Sequence, residues 1–271
     1  MSGRQSGHVC DLEGIRWYHL QEKRRLACFT EAGFEMNVIN SVGMKLRERI
    51  ADLRGRGVYE GWPNANRAIF IHIPKTAGTS VARALFGGSR HVPYFEYERV
   101  NSHKFRQFFK FSFVRNPWDR VVSTYFFLKK GGMNEMDRRF AAENLAGCDN
   151  FAAFVEIWLN EKNIWSWTHF KPQHYFICDA NLRVRMDFVG RTETLDADFR
   201  YICQRLGVAA ELTWTNQGNH RPYNEYYTDD LRERVAAVYA DDIAIFGYQF
   251  DSQRALASRS SLTAFQSRVD G

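Results

Sequence analysis

The sequence has no paired cysteines. Cys10, Cys28, Cys148, Cys178 and Cys203 are scattered, odd in number and never spaced as C-x-x-C. That pattern suits neither a zinc site nor a disulfide framework, and it fits a reducing compartment. No apolar run is long enough to span a bilayer, and the N-terminus MSGRQSGHVC lacks the apolar segment of a signal peptide. The expectation from these absences is a cytoplasmic protein without a transmembrane segment. Internal repeats are missing, as is any linker that would part the chain into two domains. Lys and Arg are spread rather than clustered and no nucleic-acid recognition motif appears, so a nucleic-acid-binding module ranks last among the readings. The net charge of +6 still leaves room for anionic partners such as nucleotides or acidic glycans.

What is present is enough for a sizeable core: 271 residues, 45% hydrophobic and 15% aromatic. The stretch AIFIHIPKTAGTSVARALF, Ala68 to Phe86, organises the rest. Ala68 to Ile73 reads as a buried strand, Pro74 to Gly78 as a tight turn, and Thr79 and Ser80 as the opening of an apolar helix. A strand that runs through a Gly-containing turn into a helix start can bind an anion, because the first N–H groups of the helix lack partners inside it. Lys75, Thr76, Thr79 and Ser80 add a cation and three hydroxyls at that point.

The pattern repeats downstream. Phe108 to Arg115 reads as a second strand; Asn116 can cap the next helix, with Pro117 at its first position and Asp119 in its first turn. Asn150 caps a helix with Phe151, Phe154, Val155, Trp158 and Leu159 on one face. Val184 to Val189 is expected as a strand, Leu195 to Leu206 as a helix closed by Gly207, and Thr228 to Phe246 as one long final helix. Ser89 to Tyr97 is expected as a loop. Strands alternating with helices predict an α/β fold, a single domain whose central parallel β-sheet is flanked by helices. The domain is placed at residues 61–250, after a helical N-terminal extension over 1–60 and before a polar tail over 251–271. Met44, Leu46, Ile50 and Leu53 stand at near-helical spacing in that extension, which is expected to pack on the domain.

Ligands of open α/β sheets collect at the carboxyl ends of the strands. Arg115 stands at such an end and Ser123 two turns into the following helix, so both are expected beside the turn at Lys75. Two phosphate-holding corners on neighbouring strands suggest a ligand with two phosphate groups. Arg115 has a second reading, an ion pair with Asp119, and Ser123 could instead bond back within its own helix.

IHIPKTAGTS followed by FSFVRNPWDRVVSTY resembles the sulfotransferases that use 3′-phosphoadenosine 5′-phosphosulfate (PAPS). The resemblance implies a P-loop-like sulfotransferase fold and a turn, Lys75, Thr76, Ala77, Gly78, Thr79 and Ser80, that holds the 5′-phosphosulfate. It also implies that Arg115 and Ser123 hold the 3′-phosphate, with Arg191 and Arg221 as further nucleotide candidates alongside Thr192, Glu193 and Asn219. RHVPYFEY is similar to the loop that carries the histidine base of uronosyl 2-O-sulfotransferases, and His91 falls on that base; His103 is the next candidate. HFKPQHYF, MDFVGRTETL and the C-terminal segment are similar to bacterial carbohydrate sulfotransferases. The implied activity moves a sulfuryl group from PAPS to an acceptor hydroxyl, releasing adenosine 3′,5′-bisphosphate (PAP) and requiring no metal.

The chemistry suits those residues. Lys75 can stabilise charge on the leaving phosphate oxygen, and a neutral histidine can take the proton of an acceptor alcohol. The acceptor is expected to be a glycan or glycolipid, with His103, Lys104, His169 and His174 as candidate contacts. Arg83, Lys104, Arg106 and Lys171 could meet an acidic sugar or serve as solvated surface charge. The competing enzyme reading is a nucleotide kinase or triphosphatase. Against it, PKTAGTS places its Lys before its Gly rather than in GxxxxGK[ST] order, and only Asp187 offers itself as a carboxylate for Mg²⁺.

Overall fold

A computed structural model describes residues 43–88, 90–212 and 221–251. The extension up to residue 42, Asn219 and the tail from residue 252 lie outside the described residues. The chain enters through helix α1 over residues 43–53 and a short α2 (Trp62–Asn66) before strand β1 (Ala68–Ile71). Helices α3 (Gly78–Phe86), α4 (Tyr94–Val100) and α5 (Ser102–Gln107) lead to β2 (Phe109–Val114) and α6 (Pro117–Lys129). After α7 (Glu135–Asn144) comes α8 (Phe151–Ala153), which continues as a π-turn over Phe154–Trp158, and then α9 (His174–Ile177). Strand β3 (Phe188–Arg191), α10 (Leu195–Leu206), α11 (Asp229–Val238) and α12 (Ala240–Phe246) complete the fold.

The three strands form one parallel sheet in the order β1-β2-β3, with Ile71 opposite Ser112 and Val114 opposite Arg191. Side chains alternate across it, as the period of two requires. Ile69, Ile71 and Val114 join Val121, Val122 and Tyr125 of α6 in the larger core. Phe70, Phe111 and Phe113 pack the other face against Val81 and Ala82 of α3 and Leu195, Phe199 and Ile202 of α10. Both faces are therefore covered, and the three strands deliver their carboxyl ends to one edge of the sheet. That edge carries the Lys75 turn, Arg115 and the Arg191–Glu193 segment.

Several local expectations shift. The end of the expected loop, from Tyr94 to Tyr97, is instead part of a helix over Tyr94–Val100, because Tyr94, Tyr97 and Val100 return to one buried face at helical spacing. The third strand pairs over Phe188–Arg191, whereas Val184 instead makes an antiparallel bridge to Cys178. The final helix divides at Tyr239, which is 2% exposed and donates its hydroxyl to the Phe170 carbonyl at 2.8 Å. Met44, Leu46, Ile50 and Leu53 are exposed rather than packed on the domain. The segment around them is anchored by polar groups: Asp52 pairs with Lys104 at 2.6 Å and accepts from Asn101 at 2.8 Å. The buried Tyr59 donates to the carbonyls of Tyr97 and Asn101.

Candidate active site

The β1–α3 turn is wound tightly, with Lys75 at φ 67° and Ala77 at φ 59°, both in the left-handed region. Ala77 is the N-cap of α3 and makes no side-chain cap, so no side chain covers the first N–H groups of the helix, although that of Ser80 turns back to the Ala77 carbonyl at 3.0 Å. A β-carbon on Gly78 would stand 1.9 Å from Cδ2 of His72. Glycine therefore lets the turn lie directly on the His72 ring. Thr76 is fully buried and its hydroxyl donates to the Ile73 carbonyl at 2.9 Å, so it braces the turn from within. Ser80 is buried and Thr79 half-buried in the first turn of α3.

Lys75 has no ion-pair partner among the described residues; its ammonium lies 4.0 Å from the centre of the Phe127 ring. Burial, reinforced by the nearby Arg115 charge, pulls its pKa down to about 8, with Asp137 acting in the opposite direction. Around it stand three imidazoles. His72 and His91 have ring centres 4.3 Å apart, and His91 and His169 5.6 Å. The Nδ1 of His91 lies 3.0 Å from the His72 carbonyl oxygen. A carbonyl only accepts, so Nδ1 carries the hydrogen and Nε2 of the neutral ring keeps its lone pair. Burial lowers the pKa of His91, with Arg120 and Lys75 pulling the same way and the carbonyl bond opposing. Burial also holds His72 well below its ordinary value, and His169 down to about 3 with help from His91, Lys75 and Arg120. The cluster is thus neutral at neutral pH. The buried Nδ1 of His169 has no hydrogen-bond partner among the described residues; a carboxylate oxygen of Asp137 stands 3.6 Å away.

At the end of β2 the backbone of Arg115 is clasped by Gln173, whose side chain accepts from its N–H at 2.8 Å and donates to its carbonyl at 2.9 Å. The Arg115 guanidinium forks onto Asp119 with two bonds of 2.8 Å and also donates to the Lys75 carbonyl at 3.2 Å. The two strand ends are therefore one hydrogen bond apart. Ser123, one turn beyond Asp119 on α6, is buried. Arg120 is 1% exposed and donates to the carbonyls of Pro74, His169 and Lys171, tying the turn to the segment that bears His169.

The end of β3 is more structural. The Arg191 guanidinium donates to the Phe246 carbonyl and lies 4.6 Å from the Tyr248 ring centre. Glu193 accepts from the Asn116 N–H at 2.7 Å and from the Tyr248 hydroxyl at 3.1 Å. Between them the Thr192 hydroxyl is buried without a partner among the described residues.

The other sequence candidates separate. His174 leaves the cluster: it is buried against Asp242, with Nδ1 2.8 Å from a carboxylate oxygen that also takes its N–H. Burial acts to lower its pKa, but the bond and charge of Asp242 outweigh that and raise it. His103 is exposed on α5, Lys104 is paired with Asp52, and Arg221 is exposed and 3.5 Å from Glu225. Asp187 sits at the amino end of β3, on the sheet edge away from Lys75, and pairs with Lys110 at 2.7 Å. The sequence reading passed over His72, Arg120, Gln173 and Asp137. For His72 a signal existed, since it shares the face of Phe70 two residues before the turn; for the others none did.

The sulfotransferase family model matches residues 64–249. Carbohydrate sulfotransferase 14 of Danio rerio is 26% identical over 169 residues, 54% of this chain and 45% of its own length. Carbohydrate sulfotransferase 12 of Mus musculus is 26% identical over 173 residues, 54% of this chain and 41% of its own. An uncharacterized protein of Archaeoglobus fulgidus is 31% identical over 114 residues, 42% of this chain and 80% of its own. The match thus spans less than half the length of either carbohydrate sulfotransferase.

Proposed function

The chain belongs to the sulfotransferase family, and on that premise we propose that it transfers a sulfuryl group from PAPS to a hydroxyl of a carbohydrate acceptor. The observation that carries the reading is Lys75, a lysine without a carboxylate partner among the described residues, in a helix-start turn without a side-chain cap, beside a neutral, tautomer-fixed His91. PAPS fits the donor set: the turn offers N–H groups and an ammonium, and the Thr192 hydroxyl, unpartnered among the described residues, stands after β3 at the same sheet edge, next to the Arg115 corner. When bound, PAPS supplies a sulfuryl group activated on a phosphate oxygen.

The roles follow from charge. His91 takes the proton of the acceptor hydroxyl at Nε2, which keeps its lone pair because Nδ1–H is held by the His72 carbonyl. Lys75 and the first N–H groups of α3 bear on the phosphate oxygen where charge collects as the sulfuryl group departs. Arg115 offers its fork to the second phosphate, sharing or exchanging Asp119. The carbohydrate class is supported by the names of the two relatives.

The test is thermal stability in the presence of PAP and, separately, ATP with Mg²⁺, since a ligand that binds only the native state raises the melting temperature. PAP is expected to raise it in the unmodified protein and in His91→Ala alike, while His91→Ala loses about a hundredfold or more of its transfer rate from PAPS. A response to ATP with Mg²⁺ and none to PAP would sink the reading.

A further inference from the structure

A cavity of about 380 Å³ opens between α4 and residues 48–58, and His91 is part of its wall. Its other lining includes Glu48 and Val58 from the segment of α1, and Pro93, Glu96 and Arg99 from α4. The volume falls within the range of small-molecule sites, roughly 300–1,000 Å³. His91 therefore belongs at once to the imidazole cluster beside Lys75 and to this cavity, so a base at His91 can meet an acceptor held there.

The walls state what kind of acceptor fits. Arg99 is forked across both acids, donating to Glu96 at 2.6 and 3.1 Å and to Glu48 at 2.9 Å. Two carboxylates against one guanidinium leave the wall with one negative charge in excess. Each carboxylate has about four acceptor positions, so capacity remains for hydroxyl donors after the arginine is served. A second carboxylate or a sulfate brought into the cavity would meet like charge. Val58, Pro93 and their apolar neighbours provide the complementary surface for C–H faces. Glu48 and Val58 precede residue 64, where the match to the family model begins, whereas His91, Pro93, Glu96 and Arg99 lie within it.

We propose that the cavity between α1 and α4 is the acceptor site and that it takes a neutral, polyhydroxylated acceptor, such as an uncharged oligosaccharide, in preference to an acidic one. The inference rests on the sulfotransferase reading above. Glu48 and Glu96 accept hydrogen bonds from ring hydroxyls, Arg99 holds the two acids in place, and a hydroxyl near His91 is the one sulfated.

Three measurements test it on the full chain. Neutral and uronate-containing oligosaccharides of equal length are compared as acceptors with PAPS, and the neutral series is expected to have at least about tenfold higher kcat/KM. Binding of the neutral series to nucleotide-free protein is followed by titration calorimetry in the unmodified protein and in Val58→Trp, which fills the cavity. Val58→Trp is expected to abolish that binding while keeping the PAP-induced rise in melting temperature. Glu48→Lys, a charge reversal at a half-buried wall position, is expected to reverse the preference toward the uronate series. Unchanged acceptor binding in Val58→Trp, an acidic preference in the unmodified protein, or PAP binding with no transfer to any neutral sugar would each overturn the proposal. Absence of any PAP effect on the unmodified protein would instead bring down the sulfotransferase reading beneath it.

Discussion

At the end of β1 the cation Lys75 lies on the face of Phe127 with no carboxylate in salt-bridge range among the described residues, whereas at the end of β2 the cation Arg115 is forked onto Asp119. The two corners are otherwise alike: parallel neighbouring strands, a turn, then a helix. At the first, burial destabilises the charge and lowers its pKa to about 8, so an arriving anion is rewarded with the relief of that penalty. At the second, the charge is already compensated and its backbone is fixed by Gln173, so an arriving anion gains only what exceeds the pairing with Asp119. A poised charge suits the place where negative charge develops during reaction, and a compensated one suits holding a phosphate that does not change.

The comparison can be broken most directly at Lys75. Lys75→Ala is expected to lower kcat by about a hundred- to a thousandfold, the cost of removing one donor from a developing oxyanion. Steady-state transfer from PAPS measures it, and a loss confined to KM would put Lys75 on a par with Arg115. Arg115→Ala should act on binding instead. Loss of a charge-assisted fork weakens PAP affinity by roughly ten- to a hundredfold, with kcat changed by much less. Calorimetric titration with PAP reads the first, and a kcat loss as large as that of Lys75→Ala would erase the contrast.

The smallest expected effect is on the pH profile. Lys75 loses its charge as pH rises through about 8, so kcat/KM should fall on that side. His91, with its pKa lowered from 6.5, must be neutral to act, so the acid limb should lie below about pH 6.5. Bound nucleotide brings negative charge to Lys75 and raises its pKa, so the alkaline limb of kcat should lie above that of kcat/KM. An alkaline limb that stays put in Lys75→Arg would assign it to another group.

Much of the frame was legible because its signals are local. The apolar run Ala68–Ile71, the capping Asn116, whose side chain accepts from the Trp118 N–H at 3.0 Å, and Gly207 at φ 67° each act through neighbours a few residues away. The boundaries that moved answer to distant contacts. Tyr239 breaks the last helix for a carbonyl 69 residues away, and Asp187 opens β3 by accepting from the Lys110 N–H at 2.7 Å. The same holds for the histidines. His169 and His174 are five residues apart and looked equivalent, yet one joins the cluster around His91 and the other is buried on Asp242.

The sequence alone predicted two strands that each run through a short turn into a helix start, the first turn carrying a glycine, because each such signal is written within about twenty residues. It also determined which cations stand at those turns. Only the tertiary structure decided their states: that Lys75 is left beside a ring while Arg115 is paired, that the His72 carbonyl fixes the tautomer of His91, and that residues 48–58 wall a cavity against it. The reason is that pKa, tautomer and cavity shape depend on which groups burial brings within a few ångströms, and the partners that set them come from as far along the chain as Arg120 and Asp137.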